Sequence, residues 1–203
     1  MRIYVLAIAC LAAAPVFAAG SAAHYTLSHK YVVGGDGGWD YLSFDADSHR
    51  LFVSRGNKLQ VLDPDKDTLL GEIPTGEGAH GAIVAAELGK GFTSNGRGNS
   101  VTVFDLKTLK ATNTIALSGQ GPDAFAYEPV SKRVFFFNGH SNDVSVVDAV
   151  AEKQVAEIAL DGRPEFAVVD GAGRVYVNIE SKNELSEIDA AKAAVTKTWS
   201  IAP

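Results

Sequence analysis

Four residues with ionisable side chains recur at regular spacing along the 203-residue chain. They are Asp40, His80, Asp123 and Glu165, and their spacings are 40, 43 and 42 residues. Carboxylates and imidazoles bind polar ligands through charge-assisted hydrogen bonds, coordinate metal ions, and transfer protons when their pKa values suit the reaction. Side chains this far apart in sequence act together only where the fold brings them to one place. Their chemistry therefore depends on the elements that position them.

A glycine-rich turn surrounds His80. Residues 75–81 are TGEGAHG, in which three glycines match the pattern G-x-G-x-x-G. In a dinucleotide-binding domain this turn follows a strand and opens a helix whose N-terminus faces the pyrophosphate. The residues that follow, GAIVAAELGKGFTSN, instead predict a short strand, a turn and another strand. Because a similar turn recurs at residues 118–124, we interpret the glycines as part of a repeated turn and not as a nucleotide site.

An aromatic residue and an aspartate mark two equivalent positions in four successive segments. The aromatic positions are Phe52, Phe92, Phe135 and Tyr176, and the aspartates, which we interpret as turn residues, are Asp63, Asp105, Asp148 and Asp189. Each segment contains four short runs rich in Val, Ile, Phe, Leu and Thr, separated by turn-forming residues. A period near 42 residues with four strands per unit predicts an all-β fold, a β-propeller with one four-stranded antiparallel blade per repeat.

The repeats also predict the organisation of the chain. The propeller is expected over 38–203, with blades at about 38–78, 79–121, 122–163 and 164–203. Within the N-terminal segment 19–37, the stretch YTLSHKYVVGG at 25–35 predicts an outer strand that would complete the last blade and close the ring. It would be a fifth outer strand for four sets of inner strands. We therefore expect that the chain is truncated and that further repeats follow Pro203.

Three segments occupy the place of a Tyr-Val-Thr-Asn signature. They are Phe92–Asn95, Phe135–Asn138 and Tyr176–Asn178. Together with the stretch NSVTVFDLKTLKATNTIALSGQGPD at 99–123, they resemble the YVTN-repeat β-propeller family, in its YncE-like branch, over about residues 25–203. The resemblance implies a complete ring of about seven blades. Its motif is specific for fold and carries little information about chemistry.

In a four-stranded blade, the turn from the outer strand to the next inner strand ends at the mouth of the channel. Asp40, His80, Asp123 and Glu165 are expected there, with Trp39 beside the first of them. A second set of turns opens on the same face, called here the loop face, and presents Arg55, Asn95, Arg97, Asn138, His140 and Glu180. Polar residues around a concave mouth predict a binding site for a small molecule, a peptide or a protein. The alternatives are that these residues occupy solvated turns and that Trp39 packs between blades.

The sequence assigns no catalytic residue, metal or cofactor. Equivalent positions on neighbouring blades diverge around a channel, so we expect no shared metal ion, and G-x-S-x-G, H-E-x-x-H and C-x-x-C-H are absent from the sequence. We therefore predict a binding scaffold and not an enzyme. The alternative is a metal-dependent propeller hydrolase or lactonase, or a propeller subunit of a periplasmic dehydrogenase.

The N-terminus predicts export. Residues 1–18, MRIYVLAIACLAAAPVFA, combine a basic start, an apolar run and small residues at the cleavage positions, as in a signal peptide. Cleavage after Ala18 or Ala23 would release a periplasmic or secreted chain without Cys10, the only cysteine, and lipid attachment at Cys10 is the alternative. The apolar run is shorter than the ~20 residues of a membrane span. The net charge of −6 argues against nucleic-acid and anionic-membrane partners.

Overall fold

The computed structural model describes residues 25–201, and these contain sixteen β-strands and one short 3₁₀ turn. The predicted signal peptide, with Cys10, lies outside the described residues. Residues 25–32 belong to a separate unit without a strand, in which the rings of His29 and Tyr31 meet edge to face with centroids 4.5 Å apart. Residues 33–201 belong to the second unit. Among the described residues, no helix is long and apolar enough to cross a membrane.

Consecutive strands pair antiparallel into four meanders of four strands each. The first meander contains β1 (Leu42–Asp45), β2 (Arg50–Ser54), β3 (Gly56–Asp63) and β4 (Thr68–Ala79). The second contains β5 (Ile83–Ala85), β6 (Lys90–Asn95), β7 (Ser100–Asp105) and β8 (Lys110–Ala116), with the 3₁₀ turn at Ala86–Leu88. The third contains β9 (Pro122–Glu128), β10 (Arg133–Asn138), β11 (Asp143–Asp148) and β12 (Lys153–Ala159). The fourth contains β13 (Pro164–Val169), β14 (Arg174–Ile179), β15 (Glu184–Asp189) and β16 (Ala194–Ser200). The prediction of an all-β fold with four-stranded antiparallel sheets is confirmed.

The first two meanders form one continuous sheet because β4 extends beyond its own meander. Its last residue, Ala79, pairs with Asn95 at the end of β6. The glycine-rich segment before it lies close against β6, where the N–H of Gly96 donates to the carbonyl of Gly78 at 2.8 Å. Gly78 has a φ of 73°, which a residue with a side chain adopts only with strain. The strand β5 follows this turn, in place of the helix that a dinucleotide site requires.

The hydrophobic core consists of three clusters, each shared by two consecutive meanders. Strand β10 shows why the apolar runs are so long. Phe135 and Phe137 pack in the cluster shared with the fourth meander, and Phe136 packs on the opposite face in the cluster shared with the second. All three are fully buried. Alternate residues of a strand point to opposite faces, so a strand covered on both faces needs apolar residues at consecutive positions.

The four repeated aspartates end the third strand of each meander and cap the turn that follows. The carboxylate of Asp105 accepts the backbone N–H groups of Lys107 and Thr108 at 3.1 and 2.7 Å. Asp148 accepts those of Val150 and Ala151 at 2.9 and 2.8 Å. Asp63 and Asp189 make the same contacts with the residues two and three positions on. The interpretation of these aspartates as turn residues is confirmed.

The outer strand predicted at 25–35 is not formed, because residues 25–41 contain no strand. The four described meanders offer no incomplete blade for this segment to join, since even the fourth has its own outer strand, β16. A strand forms only where a neighbouring edge is free to pair with it. The closing of a longer ring by residues 25–35 stays a prediction.

Asp189 is expected to make stability depend on pH in the acidic range. The backbone N–H of Lys192, followed by the side chains of Lys192 and Arg174, lowers the pKa of this carboxyl from 3.8 to about 2. Because the pKa of this group is lower in the folded state, its ionised form stabilises the fold at pH values above its ordinary pKa. This contribution is lost as the pH falls from about 4 to about 2. Urea unfolding of Asp189→Asn and of the unsubstituted protein should therefore give free energies that differ at pH 6 and converge near pH 2. A difference that does not change with pH would contradict the assignment, and Asp161→Asn serves as an exposed control.

Candidate functional site

His80 lies between β4 and β5 and is held there by its backbone. Its N–H donates to the carbonyl of Ser94 in β6 at 3.2 Å, and its carbonyl accepts the N–H of Tyr41 at 2.8 Å. Asp40 precedes β1, and its N–H donates to Oγ of Ser54 in β2 at 2.9 Å. The backbones of both residues are thus fixed by strands of the first two meanders.

Asp123 is the second residue of β9, an edge strand of the third meander. Its carbonyl accepts a hydrogen bond from Oγ of Ser94 at 2.7 Å. Ser94 is buried and contacts the backbone of both His80 and Asp123, so one residue of β6 sets the spacing between them. A site supported from strands is positioned more accurately than one supported from loops.

The side chains of Asp40, His80 and Asp123 converge. Nδ1 of His80 lies 2.6 Å from Oδ2 of Asp40 and 3.4 Å from Oδ1 of Asp123. One oxygen of each carboxylate and one nitrogen of the imidazole all lie within 4.8 Å of one another. The expectation that equivalent positions diverge too far to share an ion therefore fails for these three, which we call the Asp–His–Asp cluster.

The cluster carries more negative than positive charge in a partly desolvated place. Burial raises the pKa of Asp123, and the charge of Asp40 acts in the same direction, whereas His80 opposes both. Oδ1 of Asp123 is shielded from solvent and accepts no hydrogen bond among the described residues. Its 3.4 Å contact with Nδ1 of His80 is an ion pair and not a hydrogen bond. Burial, followed by the charges of Asp123, Glu165 and Asp40, raises the pKa of Tyr41 to about 12. A cation or a hydrogen-bond donor would be stabilised here.

Glu165, the fourth residue of the sequence series, belongs to a neighbouring group. Its carboxylate lies 3.8 Å from Nη2 of Arg163, whose Nε contacts Oε1 of Glu180 at 2.9 Å. Burial, followed by the charge of Glu180, raises the pKa of Glu165. Sequence reasoning missed Arg163, although a signal existed. The residue two positions before each member of the series is glycine at Gly38, Gly78 and Gly121, and arginine only before Glu165.

An open cleft of 470 Å³ contains the cluster and part of the predicted loop face. The indole of Trp39 is three-quarters exposed at its edge, which leaves it accessible to a ligand. Arg97, His140 and Arg163 also line the cleft. This volume lies within the range of about 300–1,000 Å³ that small-molecule sites occupy.

Three residues expected on the exposed loop face are buried instead. Asn95 and Asn138 are fully buried at the ends of β6 and β10, where they bond to polar residues of the next strand. Nη2 of Arg55 donates to the carbonyl of Gly34 at 3.0 Å and also bonds that of Gly35. Their polar atoms form hydrogen bonds with backbone carbonyls and with side chains at the strand ends, as buried polar groups generally do. These three residues are therefore not presented to a ligand.

Gly96 is expected to control the position of the His80 ring. A methyl group at Gly96 would overlap Nε2 of His80. Gly96→Ala should therefore turn the imidazole away from Asp40 and Asp123. The ¹⁵N chemical shifts of the His80 ring would report the loss of these contacts, and unchanged shifts would contradict the prediction. Gly98→Ala is the matched control, since the nearest atom to its methyl would be Oγ of Ser100 at 3.2 Å, with two atoms of Asn95 in ordinary contact at 3.7 Å.

Comparison with known proteins identifies the fold. No family model matches the chain. No curated protein matches it in sequence. Among solved structures, hydrazine synthase of Kuenenia stuttgartiensis is similar with a TM-score of 0.74 and 17% identity, over 87% of this chain and 53% of that one. The dihydro-heme d1 dehydrogenase NirN, in complex with DHE, is similar with a TM-score of 0.65 and 15% identity, over 79% of this chain and 37% of that one. The chain thus spans about half of the first and about a third of the second. Both are β-propeller proteins, and the chain has the β-propeller fold.

Proposed function

We propose that this chain is an exported, non-catalytic β-propeller of the YVTN-repeat type that binds a ligand in its loop-face cleft. The proposal is carried by the convergence of Asp40, His80 and Asp123, from three successive meanders, in one cleft open to solvent. Two carboxylates repel each other, so the approach of Asp40 and Asp123 to one imidazole supports a site that binds a cation or a hydrogen-bond donor. The composition of residues 1–18 supports export.

The cleft suits a small polar molecule or a short peptide. Its lining offers the carboxylates of Asp40 and Asp123, the cations Arg97 and Arg163, and the exposed side chain of Trp39. A ligand would find acceptors, cationic donors and an aromatic surface for stacking. A few placed polar groups around a concave surface are what fixes the orientation of a bound small molecule.

A thermal-shift screen of amino acids, short peptides, sugars and carboxylic acids would test this function. Compounds that raise the melting temperature of the unsubstituted protein should lose at least a tenfold factor in affinity on Asp123→Asn and on Trp39→Ala, measured by calorimetric titration. Asp47→Asn is the matched control, because Asp47 is exposed in the turn between β1 and β2. Compounds that bind equally well to both cleft variants, or an absence of hits across the panel, would contradict the proposal.

A second candidate function is metal-dependent hydrolysis or lactone opening, or service as a propeller subunit of a dehydrogenase. The mixed imidazole and carboxylate donors of the Asp–His–Asp cluster favour it, because such donors bind ions that activate water. Turnover of ester and lactone substrates that depends on added metal and is abolished by His80→Gln would support this alternative. No turnover with any tested metal would leave the binding function as the better account.

A further inference from the structure

We propose that Asp40, His80 and Asp123 form a binding site for a divalent transition-metal ion, of which Zn²⁺ is the probe. The proposal rests on the cleft to which a binding function is assigned above. The ligand atoms are Oδ2 of Asp40, Nδ1 of His80 and Oδ1 of Asp123, since these are the atoms in contact.

The distances suit an ion of this size. Zinc binds imidazole nitrogen and carboxylate oxygen at about 2.0–2.2 Å, so two ligand atoms of a tetrahedral site lie about 3.3–3.5 Å apart. The Nδ1–Oδ1 distance to Asp123 is already 3.4 Å. The Nδ1–Oδ2 distance of 2.6 Å to Asp40 is that of a hydrogen bond and would open by less than about 1 Å to reach this separation. Asp40 is exposed, so its side chain can make this adjustment.

The donor set favours a transition metal over calcium. Ca²⁺ takes six to eight oxygen ligands, whereas the cluster offers one nitrogen and carboxylates from two residues. Imidazole with carboxylate is a donor set of zinc and its first-row neighbours. An imidazole that binds the ion through Nδ1 carries its hydrogen on Nε2, and any proton on Nδ1 is released to solvent when the ion binds. The two positive charges of the ion would offset the negative charges of the two carboxylates.

A second observation points to a missing partner. Oδ1 of Asp123 is shielded from solvent and accepts no hydrogen bond among the described residues, although buried acceptors nearly always have a donor. It lies beside Nδ1 of His80, where a shared ion would satisfy it. The backbones of His80 and Asp123 are both held by Ser94, so the backbone positions of two of the three ligands are set by the strands.

Three protein ligands would leave at least one coordination position for water or for an oxygen of a bound molecule. Arg97 and Arg163 line the same cleft. A ligand with a carboxylate or another anionic oxygen could then bind the metal with that oxygen and the arginines with the others. The site thus selects anionic oxygen ligands when the metal is bound, which the cluster alone would repel.

Calorimetric titration with Zn²⁺ on the untagged full chain, without any organic ligand, tests the site. We expect one ion per chain and a dissociation constant that rises at least tenfold in His80→Gln, in Asp123→Asn and in Asp40→Asn. His140→Gln is the matched control, because His140 lines the same cleft outside the cluster, and should change the constant less than twofold. Co²⁺ in place of Zn²⁺ should give visible d–d bands that disappear in His80→Gln. Circular dichroism of each variant verifies that it is folded.

Either of two results would overturn the inference: no saturable binding of Zn²⁺ or Co²⁺ at micromolar concentrations, or equal binding by the three cluster variants and the unsubstituted protein. Should one variant fail to fold, the other two and the Co²⁺ spectrum still decide. Because the titration contains metal alone, its outcome is independent of the ligand screen. Ligand binding in the presence of a chelator, with no metal binding, would leave the proposed function in place and remove only the metal.

Discussion

Phe135→Ala is expected to lower the free energy of unfolding by about 3–5 kcal/mol, because it removes a fully buried aromatic ring from the core. Phe135 lies in β10 opposite Val146 of β11 and Ala126 of β9, within the cluster shared by the third and fourth meanders. The cavity would be lined by strands fixed in their ladders, which limits how far the surroundings can collapse into it. Urea unfolding followed by tryptophan fluorescence or circular dichroism measures the loss.

Phe166→Ala is the matched control for this substitution. Phe166 lies in β13 and is 57% exposed, so the same chemical change should cost less than about 1 kcal/mol. Equal losses at the two positions would contradict the assignment of β10 as a strand covered on both faces. A loss below about 1 kcal/mol at Phe135 would do the same.

Asn95→Ala should destabilise the fold by about 1–3 kcal/mol, because it leaves buried polar groups without partners. Oδ1 of Asn95 accepts the N–H of Gly76 at 3.1 Å, and Nδ2 donates to Oγ of Ser100 at 3.1 Å and to Oγ1 of Thr102 at 3.0 Å. The asparagine thereby fastens the glycine-rich segment to β6, next to His80. The same urea measurement applies, and binding of Zn²⁺ should weaken in parallel because the segment that carries His80 loosens.

Asn57→Ala provides the comparison, since Asn57 is exposed in β3 and should change stability by no more than about 0.5 kcal/mol. A loss at Asn95 no larger than at Asn57 would mean that water replaces the asparagine without cost. That result would contradict the prediction that the partners of Asn95 are buried and lose their hydrogen bonds.

The fold could be predicted from the sequence because the propeller repeats the same local pattern. The repeated aromatic residue, such as Phe135, marks the second strand of each repeat, and the repeated aspartate, such as Asp148, marks the end of the third. The structure agrees with both predictions. The outer strand at 25–35 could not be judged in this way. Strand formation depends on a free edge elsewhere in the fold, and each of the four described meanders already contains four strands.

The contacts within the candidate site could not be predicted from the sequence. Asp40, His80 and Asp123 follow from the repeat, whereas their convergence depends on rotamers and on how closely neighbouring meanders approach, which no spacing encodes. The burial of Asn95 was hidden for a similar reason. Its partners Ser100 and Thr102 lie on the adjacent strand, and only the strand register makes them neighbours.

The shared clusters imply that energetic coupling in this protein is between nearest neighbours. A meander does not have a core of its own, so each one is stabilised by the faces of the meanders beside it. Stability in such an array is a sum of unit energies and interface energies. A defect at Phe135 should therefore speed amide hydrogen exchange in the third and fourth meanders and leave β2 and β3 protected. The continuous backbone ladder through Ala79 and Asn95 should make the first two meanders exchange as one unit.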